Sequence, residues 1–361
     1  MRGSQSAGVV LIRAIVEVIR PKPGETIFDP ACGTGGFLLA AHDYIQENHP
    51  RLSRDEKKHL KLEALRGVEI VDGVTRLCAM NLILHGIGPT AEESEPPVRT
   101  DDALRVEPSE QFDVVLTNPP FGRKSSVLVV NADGDEERQA LSIVREDFWA
   151  ETSNKQLNFV QHVRSLLKQG GRAAVVVPDN VLFEGGAGET VRRKILNECD
   201  LHTILCLPTG IFYAHGVKAN LLFFDRRPQS ETPWTKQVWF YDLRTNKHFT
   251  LKTNSLSRED LNEFVELYKP ENRAERKPTC NPKDGTGRWR AFDLKDILAR
   301  DKASLDIFWL KDESLEDSAN LPDPEVIAQE IVEDIEDAAE QLRGIASPAV
   351  TTKGGEPPRK P

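Results

Sequence analysis

The 361-residue sequence has no apolar run long enough to cross a bilayer, so we predict neither a transmembrane helix nor a membrane partner. No apolar segment with a small-residue cleavage site follows the start, and residues 1–8 are interpreted as a leader or remnant rather than a signal peptide. Its five cysteines include no CxxC pair and no Cys/His cluster. This spacing argues against a zinc site or a disulfide scaffold, so we expect no bound metal and a reducing, cytoplasmic location.

A surplus of positive charge is also missing. The 47 lysines and arginines are outnumbered by 57 acidic residues, which gives a formal net charge of −10. Proteins that bind DNA unaided usually carry a basic surplus, because neutralising phosphates drives most of their affinity. Either nucleic acid is not the substrate, or another subunit supplies many of the contacts to it.

The sequence does contain a regular alternation of strand and helix patterns over residues 9–226. The expected strands are Glu25–Ala31, Leu65–Val71, Phe112–Thr117, Arg172–Val177, Leu201–Leu207 and Asn220–Asp225. The expected helices are Val9–Arg20, Phe37–Glu47, Val74–His85 and Leu157–Lys168, the last of which ends at Gly170-Gly171. Such alternation predicts an α/β fold with a Rossmann-like, doubly wound sheet of parallel strands.

Two stretches depart from this alternation. Residues 122–155 are polar and charged without a clear period, which is typical of a functional or disordered loop. From about Arg226 the pattern becomes aromatic, with an amphipathic stretch at Ser257–Tyr268. We therefore expect residues 227–322 to form a C-terminal extension of the domain formed by residues 9–226 rather than a continuation of its sheet.

The C-terminal part combines a helix signature with a polar tail. Asp323-Pro324 offers an N-cap followed by proline in the first turn, which predicts a helix over residues 323–346. A narrow apolar stripe follows at spacings of four and three, formed by Ile327, Ile331, Ile335, Ala338, Leu342 and Ile345. The stripe suits packing against a partner helix, and packing on its own domain is the equal alternative. Residues 347–361 are rich in Pro, Gly and Lys and are expected to be disordered.

A glycine motif lies between the first strand and the second helix, in Asp29-Pro-Ala-Cys-Gly-Thr-Gly-Gly-Phe37. Glycines let the backbone approach a ligand, and the N-terminus of the following helix presents free N–H groups to it. Glu69, at the end of the next strand, is placed to accept hydrogen bonds from ribose hydroxyls. A tight turn without a ligand is one alternative. A dinucleotide site is another, although the spacing is GxGG and the acid comes later than the usual offset of about 20 residues.

The second motif is Asn118-Pro-Pro-Phe121, directly after the strand Phe112–Thr117. Prolines fix φ and restrict the residue before them, so the loop should be rigid at the carboxyl end of its strand, where ligands bind in open α/β sheets. The Asn118 side-chain oxygen and the Pro119 carbonyl can both accept N–H bonds from one exocyclic amine, which favours the attacking form of its nitrogen. Phe121 is suited to stack on a planar base pulled out of a helix.

Together these motifs resemble the modification subunit of type I restriction–modification systems, a family of S-adenosylmethionine-dependent N6-adenine DNA methyltransferases. Two further segments carry the resemblance, Gly170-Gly-Arg-Ala-Ala-Val-Val-Val-Pro178 and Gly216-Val-Lys-Ala-Asn-Leu-Leu-Phe-Phe224. The resemblance runs from about Val9 to Leu310. It implies direct methyl transfer from S-adenosylmethionine to the N6 amine of adenine in DNA, in a bacterial or archaeal cytoplasm.

The resemblance also implies roles for individual residues. Those expected to bind S-adenosylmethionine are Asp29, Ala31, Gly33, Thr34, Gly35, Gly36, Glu69 and Asp102. Among them, Asp29 would support the methionine end and Asp102 would lie near the adenosyl ring. Those expected to hold the target adenine are Asn118, Pro119, Pro120 and Phe121.

The implied partners are double-stranded DNA, a specificity subunit, a restriction subunit and a second modification subunit. A specificity subunit that reads the DNA would account for the acidic charge, and the helix from Asp323 resembles an element that docks on it. The family also carries an N-terminal helical domain and a Tyr-Phe-Thr-Pro-like segment that closes over the cofactor. Neither precedes Val9 here, so we expect a shortened form of the protein.

Two other functions remain open at this point. A methyltransferase acting on a protein glutamine amide uses a similar Asn-Pro-Pro loop, because an amide nitrogen poses the same chemical problem. A non-catalytic scaffold could keep the fold for assembly alone, but the intact Asn118–Phe121 motif counts against it.

Overall fold

The computed structural model describes residues 7–89, 95–121, 142–209, 211, 218–247, 249, 254–281 and 285–311, with the backbone alone for 126–130 and 136–140. Within these ranges the helices are α1 (Ala7–Ile19), α2 (Gly36–Asn48), α3 (Arg54–Leu62), α4 (Asp72–Leu84), α5 (Lys155–Leu166), α6 (Asn180–Phe183), α7 (Ala187–Glu198), α8 (Asn262–Tyr268) and α9 (Leu294–Ala299). The strands are β1 (Ile27–Asp29), β2 (Leu65–Glu69), β3 (Val98–Thr100), β4 (Phe112–Thr117), β5 (Ser126–Val130), β6 (Glu136–Ala140), β7 (Leu167–Pro178), β8 (Cys199–Cys206), β9 (Ala219–Arg226), β10 (Gln237–Asp242) and β11 (Trp289–Asp293). None of the described helices is long and apolar enough to span a membrane.

Nine of the strands form one sheet in the order β11-β10-β8-β9-β7-β4-β1-β2-β3. The five strands β3, β2, β1, β4 and β7 are parallel neighbours, so their carboxyl ends meet at one edge. This confirms the predicted α/β, Rossmann-like class. Strand β4 matches its predicted bounds, and the other predicted strands and helices differ from the observed elements by a few residues at their ends.

Apolar side chains cover both faces of the sheet, as a doubly wound fold requires. One cluster includes residues of α1, α2, α4 and α8, and the other includes residues of α5, α7 and α9. Strand β4 contributes to both, with Val114 and Leu116 on one side and Val115 on the other. This placement explains why β4 reads as a continuous apolar run in the sequence.

The sheet is mixed rather than purely parallel. Strand β9 runs antiparallel to both of its neighbours, and β11 runs antiparallel to β10. A parallel neighbour needs a long crossover, usually a helix, whereas the connection 207–218 between β8 and β9 is short and suits an antiparallel pair. The expectation of an all-parallel sheet is therefore wrong at these two strands.

The expectation that residues 227–322 stand apart from the sheet is also wrong. Strand β10 pairs with β8 and carries β11 on its other side. Its apolar residues are buried alternately on the two faces, with Val238 and Phe240 in one cluster and Trp239 and Tyr241 in the other. Because both of its faces are buried, β10 is an internal strand of the sheet. The segment after residue 226 therefore adds two strands, β10 and β11, to the sheet.

Several other expectations need adjustment or cannot be compared. The 122–155 stretch contains an antiparallel pair, β5 with β6, where an irregular loop was expected. Gly170-Gly171 does not end a helix. Helix α5 ends at Leu166, and the glycines lie within β7, where the register with β4 shifts and Gly170 has φ +83°. The expected helix 323–346 and tail 347–361 lie outside the described residues. The expected leader, residues 1–8, overlaps α1, which begins at Ala7.

Candidate active site

The two motifs singled out in the sequence lie side by side at the carboxyl edge of the parallel strands. Phe28 of β1 is in register with Val115 of β4, so the glycine loop after β1 and Asn118–Phe121 after β4 leave the sheet at the same level. Glu69 of β2 is in register with Thr100 of β3, two residues before Asp102. All of the predicted site residues are thus brought to one edge.

The glycine loop runs between β1 and α2 in a conformation that larger residues would resist. Gly33 and Gly35 have φ of +52° and +89°, a region that side chains with a Cβ rarely adopt. A Cβ on Gly35 would also lie 2.8 Å from the Sγ of Cys78 on α4. Because Gly35 is the N-cap of α2 and has no side chain, it leaves the first-turn N–H groups of that helix uncapped and pointing to the site.

Glu69 links the glycine loop to the end of β2. One carboxylate oxygen accepts the N–H of Gly33 at 3.1 Å, and the other accepts the N–H of Val71 at 3.0 Å. The next two residues, Ile70 and Val71, are exposed by 62% and 53%. They present an apolar surface beside the carboxylate, and the sequence reasoning did not identify it.

Asp29 ends β1 and is almost fully buried beneath the loop. Its carboxylate accepts the N–H of Ala31 at 3.0 Å. Burial raises the pKa of Asp29 to about 7, and the Glu69 carboxylate acts in the same direction, whereas the Thr117 hydroxyl and the Ala31 N–H oppose the shift. A cation bound beside Asp29 would favour its ionised form and lower this pKa.

The remaining predicted cofactor residues line the same edge. Thr34 is exposed, and its carbonyl accepts a hydrogen bond from the side chain of Asn81 on α4 at 3.0 Å. Gly36 begins α2, where a Cβ would lie 3.1 Å from Ile12. Asp102 is exposed after β3, and its carboxylate accepts the N–H of Leu104 at 3.0 Å. It shapes its own turn and presents a polar side chain at this edge.

The second loop, Asn118–Phe121, follows directly after the last residue of β4. Asn118 and Pro120 are exposed, Pro119 is buried, and Phe121 is half-buried against the core cluster on the α1 and α2 side. Because neither proline has an N–H, the loop offers only carbonyl oxygens over these two residues. The arrangement suits a ligand that donates hydrogen bonds and carries a flat apolar face.

Sequence reasoning missed one residue that contacts this loop. Gln156 lies in the first turn of α5 and is buried, and its Nε2 donates a hydrogen bond to the Pro120 carbonyl at 3.3 Å. The pattern had predicted a loop up to residue 155 and a helix from Leu157, so Gln156 fell between the two. The cap residue Asn154 was the available signal, because Asn commonly begins helices.

The fold is that of the methyltransferase class, with a glycine loop and the acidic residue Glu69 beside the Asn118–Phe121 loop at one edge of the parallel strands. Comparison with known proteins agrees with this class. The sequence profile of the family described as N-6 DNA Methylase matches residues 9–301. The chain belongs to this family.

Similar proteins include subunits of type I restriction enzymes. The StySPI methylase subunit of Salmonella potsdam and the EcoKI methylase subunit of Escherichia coli K12 are each 36% identical over 362 aligned positions, which cover 92% of this chain. The crystal structure of the EcoKI M protein matches with a TM-score of 0.72 and 35% identity, covering 94% of this chain and 73% of that one. The chain spans 65% of the length of the two curated relatives.

Proposed function

We propose that this chain transfers a methyl group from S-adenosylmethionine to the N6 amine of adenine in double-stranded DNA, as the modification subunit of a type I restriction–modification complex. One observation carries the proposal. The register of Phe28 with Val115 sets the glycine loop and the Asn118–Phe121 loop next to each other at one edge. A methyl donor and an amine acceptor bound by these loops would be neighbours.

The glycine loop fits S-adenosylmethionine in its shape and in its chemistry. The N-terminus of α2, which has no side-chain cap, would offer its free N–H groups to the cofactor. Glu69 would accept the ribose hydroxyls, and Ile70 would cover one face of the adenine ring. Asp29 would favour the cationic methionine end, and Asp102 would lie near the adenosyl group.

The Asn118–Phe121 loop supplies the chemistry at the target amine. When bound, S-adenosylmethionine provides an electrophilic methyl group. The Asn118 side-chain oxygen and the Pro119 carbonyl would accept the two N–H bonds of the amine, so its lone pair points away from them as positive charge develops on nitrogen. The methylated nitrogen then loses one proton to solvent, and Phe121 holds the base by stacking after it leaves the duplex.

The formal charge of −10 supports a function within a larger assembly. A partner that supplies a basic surface would give the complex the phosphate contacts that an acidic chain disfavours. We therefore propose a specificity subunit, a restriction subunit and a second modification subunit as partners, in the cytoplasm of a bacterial or archaeal cell. The relatives named as type I methylase subunits support this assignment.

A transfer assay tests the proposed reaction. The chain and its specificity subunit are given labelled S-adenosylmethionine and DNA from a host without adenine methylation, and the label in N6-methyladenine is measured. We expect Asn118→Ala to lower the rate by about 100-fold or more, because one preorganised acceptor is lost. Asn48→Ala, at the exposed end of α2, is the matched control and should keep the parent rate.

Calorimetry and a peptide substrate separate the two halves of the proposal. S-adenosylmethionine should bind the parent and Asn118→Ala similarly but should not bind Gly35→Asp, whose side chain would meet Cys78. Label transferred to a Gly-Gly-Gln peptide instead of DNA would show a protein glutamine methyltransferase. Cofactor binding without transfer to either substrate would favour an assembly scaffold.

A further inference from the structure

We infer that Gln156 is a positioning residue that holds the Asn118–Phe121 loop in the conformation that receives the target base. This inference rests on the proposed function, since it assigns a role in the same site. Its basis is the hydrogen bond that the Gln156 side-chain amide donates to the Pro120 carbonyl at 3.3 Å. Gln156 is buried, with 7% of the residue exposed.

Two residues of the loop cannot donate a backbone hydrogen bond. Pro119 and Pro120 have no N–H groups, and their φ angles are set by the rings, so the remaining backbone freedom lies in ψ. Binding the Pro120 carbonyl restricts ψ of Pro120, which also sets the direction in which Phe121 leaves the loop. The preceding carbonyl, that of Pro119, is the one proposed to accept a hydrogen bond from the amine.

Gln156 is itself held in place by the start of its helix. The Asn154 side chain caps α5 by accepting the N–H groups of Gln156 at 3.0 Å and Leu157 at 3.3 Å. The Asn154 amide donates in turn to Glu184 at 2.8 Å, in the segment that follows α6. The Asn118–Phe121 loop is therefore connected through Gln156 and Asn154 to Glu184, in the segment that follows α6.

Three variants test this connection. Gln156→Met keeps a similar size but has no donor, and Gln156→Glu has a donor only when its carboxyl group is protonated. Gln161→Met is the matched control, because Gln161 is a buried glutamine on the same helix whose amide binds the N–H and carbonyl of Ala150 instead. All rates are measured with the specificity subunit, well below the melting temperature of each variant.

We expect Gln156→Met to lower kcat for DNA methylation by about ten-fold while KM for S-adenosylmethionine stays unchanged. Gln156→Glu should approach the parent rate as the pH falls, since only its neutral form donates to the Pro120 carbonyl. A residue that merely filled space would give a ratio to the parent that does not change with pH. Gln161→Met should keep the parent kcat.

Hydrogen exchange gives a readout that does not depend on activity. The amide of Phe121 should exchange faster in Gln156→Met than in the parent or in Gln161→Met, because the peptide before it is released. Equal exchange and equal kcat in both methionine variants would overturn the inference. If the parent itself transferred no methyl group, the proposed function would fail, and the Phe121 exchange rates would still decide whether Gln156 fixes the loop.

Discussion

The carboxylate of Glu69 accepts the backbone N–H of Gly33 at 3.1 Å, across the gap between the end of β2 and the loop after β1. Its other oxygen accepts the N–H of Val71 at 3.0 Å. One side chain thus shapes the glycine loop and still offers lone pairs toward the edge where the cofactor would bind. A change at Glu69 should therefore affect loop geometry and ribose binding together.

We predict that Glu69→Gln weakens S-adenosylmethionine binding by roughly ten- to 100-fold. The amide retains one acceptor oxygen but replaces the other with a donor, and hydrogen bonds to a charged group contribute about 1.5–3 kcal/mol. Titration calorimetry measures the change. Glu63→Gln is the control, since Glu63 is exposed beside His59 on α3. An affinity for Glu69→Gln within two-fold of the parent would contradict the assigned role.

We predict that Asp29→Asn makes stability less dependent on pH. The pKa of Asp29 is raised by burial from its ordinary value of 3.8 to about 7, so the folded chain binds this proton more tightly than the unfolded chain does. Stability from the neutral carboxyl group is therefore complete at pH values below about 4 and is lost as the pH rises toward and past 7. At about 1.4 kcal/mol per pKa unit, the loss is of the order of several kcal/mol.

Urea unfolding at pH 5 and pH 8 measures this effect. The parent should lose stability between the two values by more than Asp29→Asn does, because the amide cannot ionise. Asp301→Asn is the control, since that carboxylate is 88% exposed and should leave the pH dependence of the parent in place. Parallel pH profiles for the parent and Asp29→Asn would show that Asp29 does not carry a raised pKa in the folded chain.

We predict that Arg192→Met lowers the free energy of unfolding by about 3 kcal/mol or more. Arg192 is buried on α7 and donates to the carbonyls of Val181, Glu184 and Lys302 at 2.7–2.9 Å and to that of Ala303 at 3.3 Å. Its loss would leave several buried carbonyls without a donor, at about 1–3 kcal/mol for each unsatisfied group.

Thermal unfolding of Arg192→Met against Arg193→Met tests this role. Arg193 pairs with Glu189 at the helix surface, where an ion pair one turn away contributes about 0.3–0.5 kcal/mol. The two variants should differ by several degrees in Tm, with Arg192→Met the lower. Similar melting temperatures would mean that contacts other than those of Arg192 hold residues 302–303 in place.

Local patterns predicted the elements that carry the glycine loop and the Asn118–Phe121 loop, because these elements are regular and their loops contain glycine and proline at fixed positions. Phe112–Thr117 is apolar on both sides, and Asn118-Pro-Pro-Phe121 and the glycine motif need no tertiary information to be recognised. Trp239 and Tyr241 were visible in the sequence, but that they extend the sheet depends on pairing with β8. The Gln156 hydrogen bond joins residues 36 positions apart, and no local period records such a contact.

The strand order also bears on the sequence of events as the chain is synthesised. Strands β1, β2 and β3 follow one another in the chain and pair side by side, so the loop of Gly33, Glu69 and the turn at Asp102 can assemble once the chain up to Asp102 has emerged. The free edge of β1 is then the template for β4. The Asn118–Phe121 loop then joins a glycine loop that already exists, and Gln156 on α5 emerges after both.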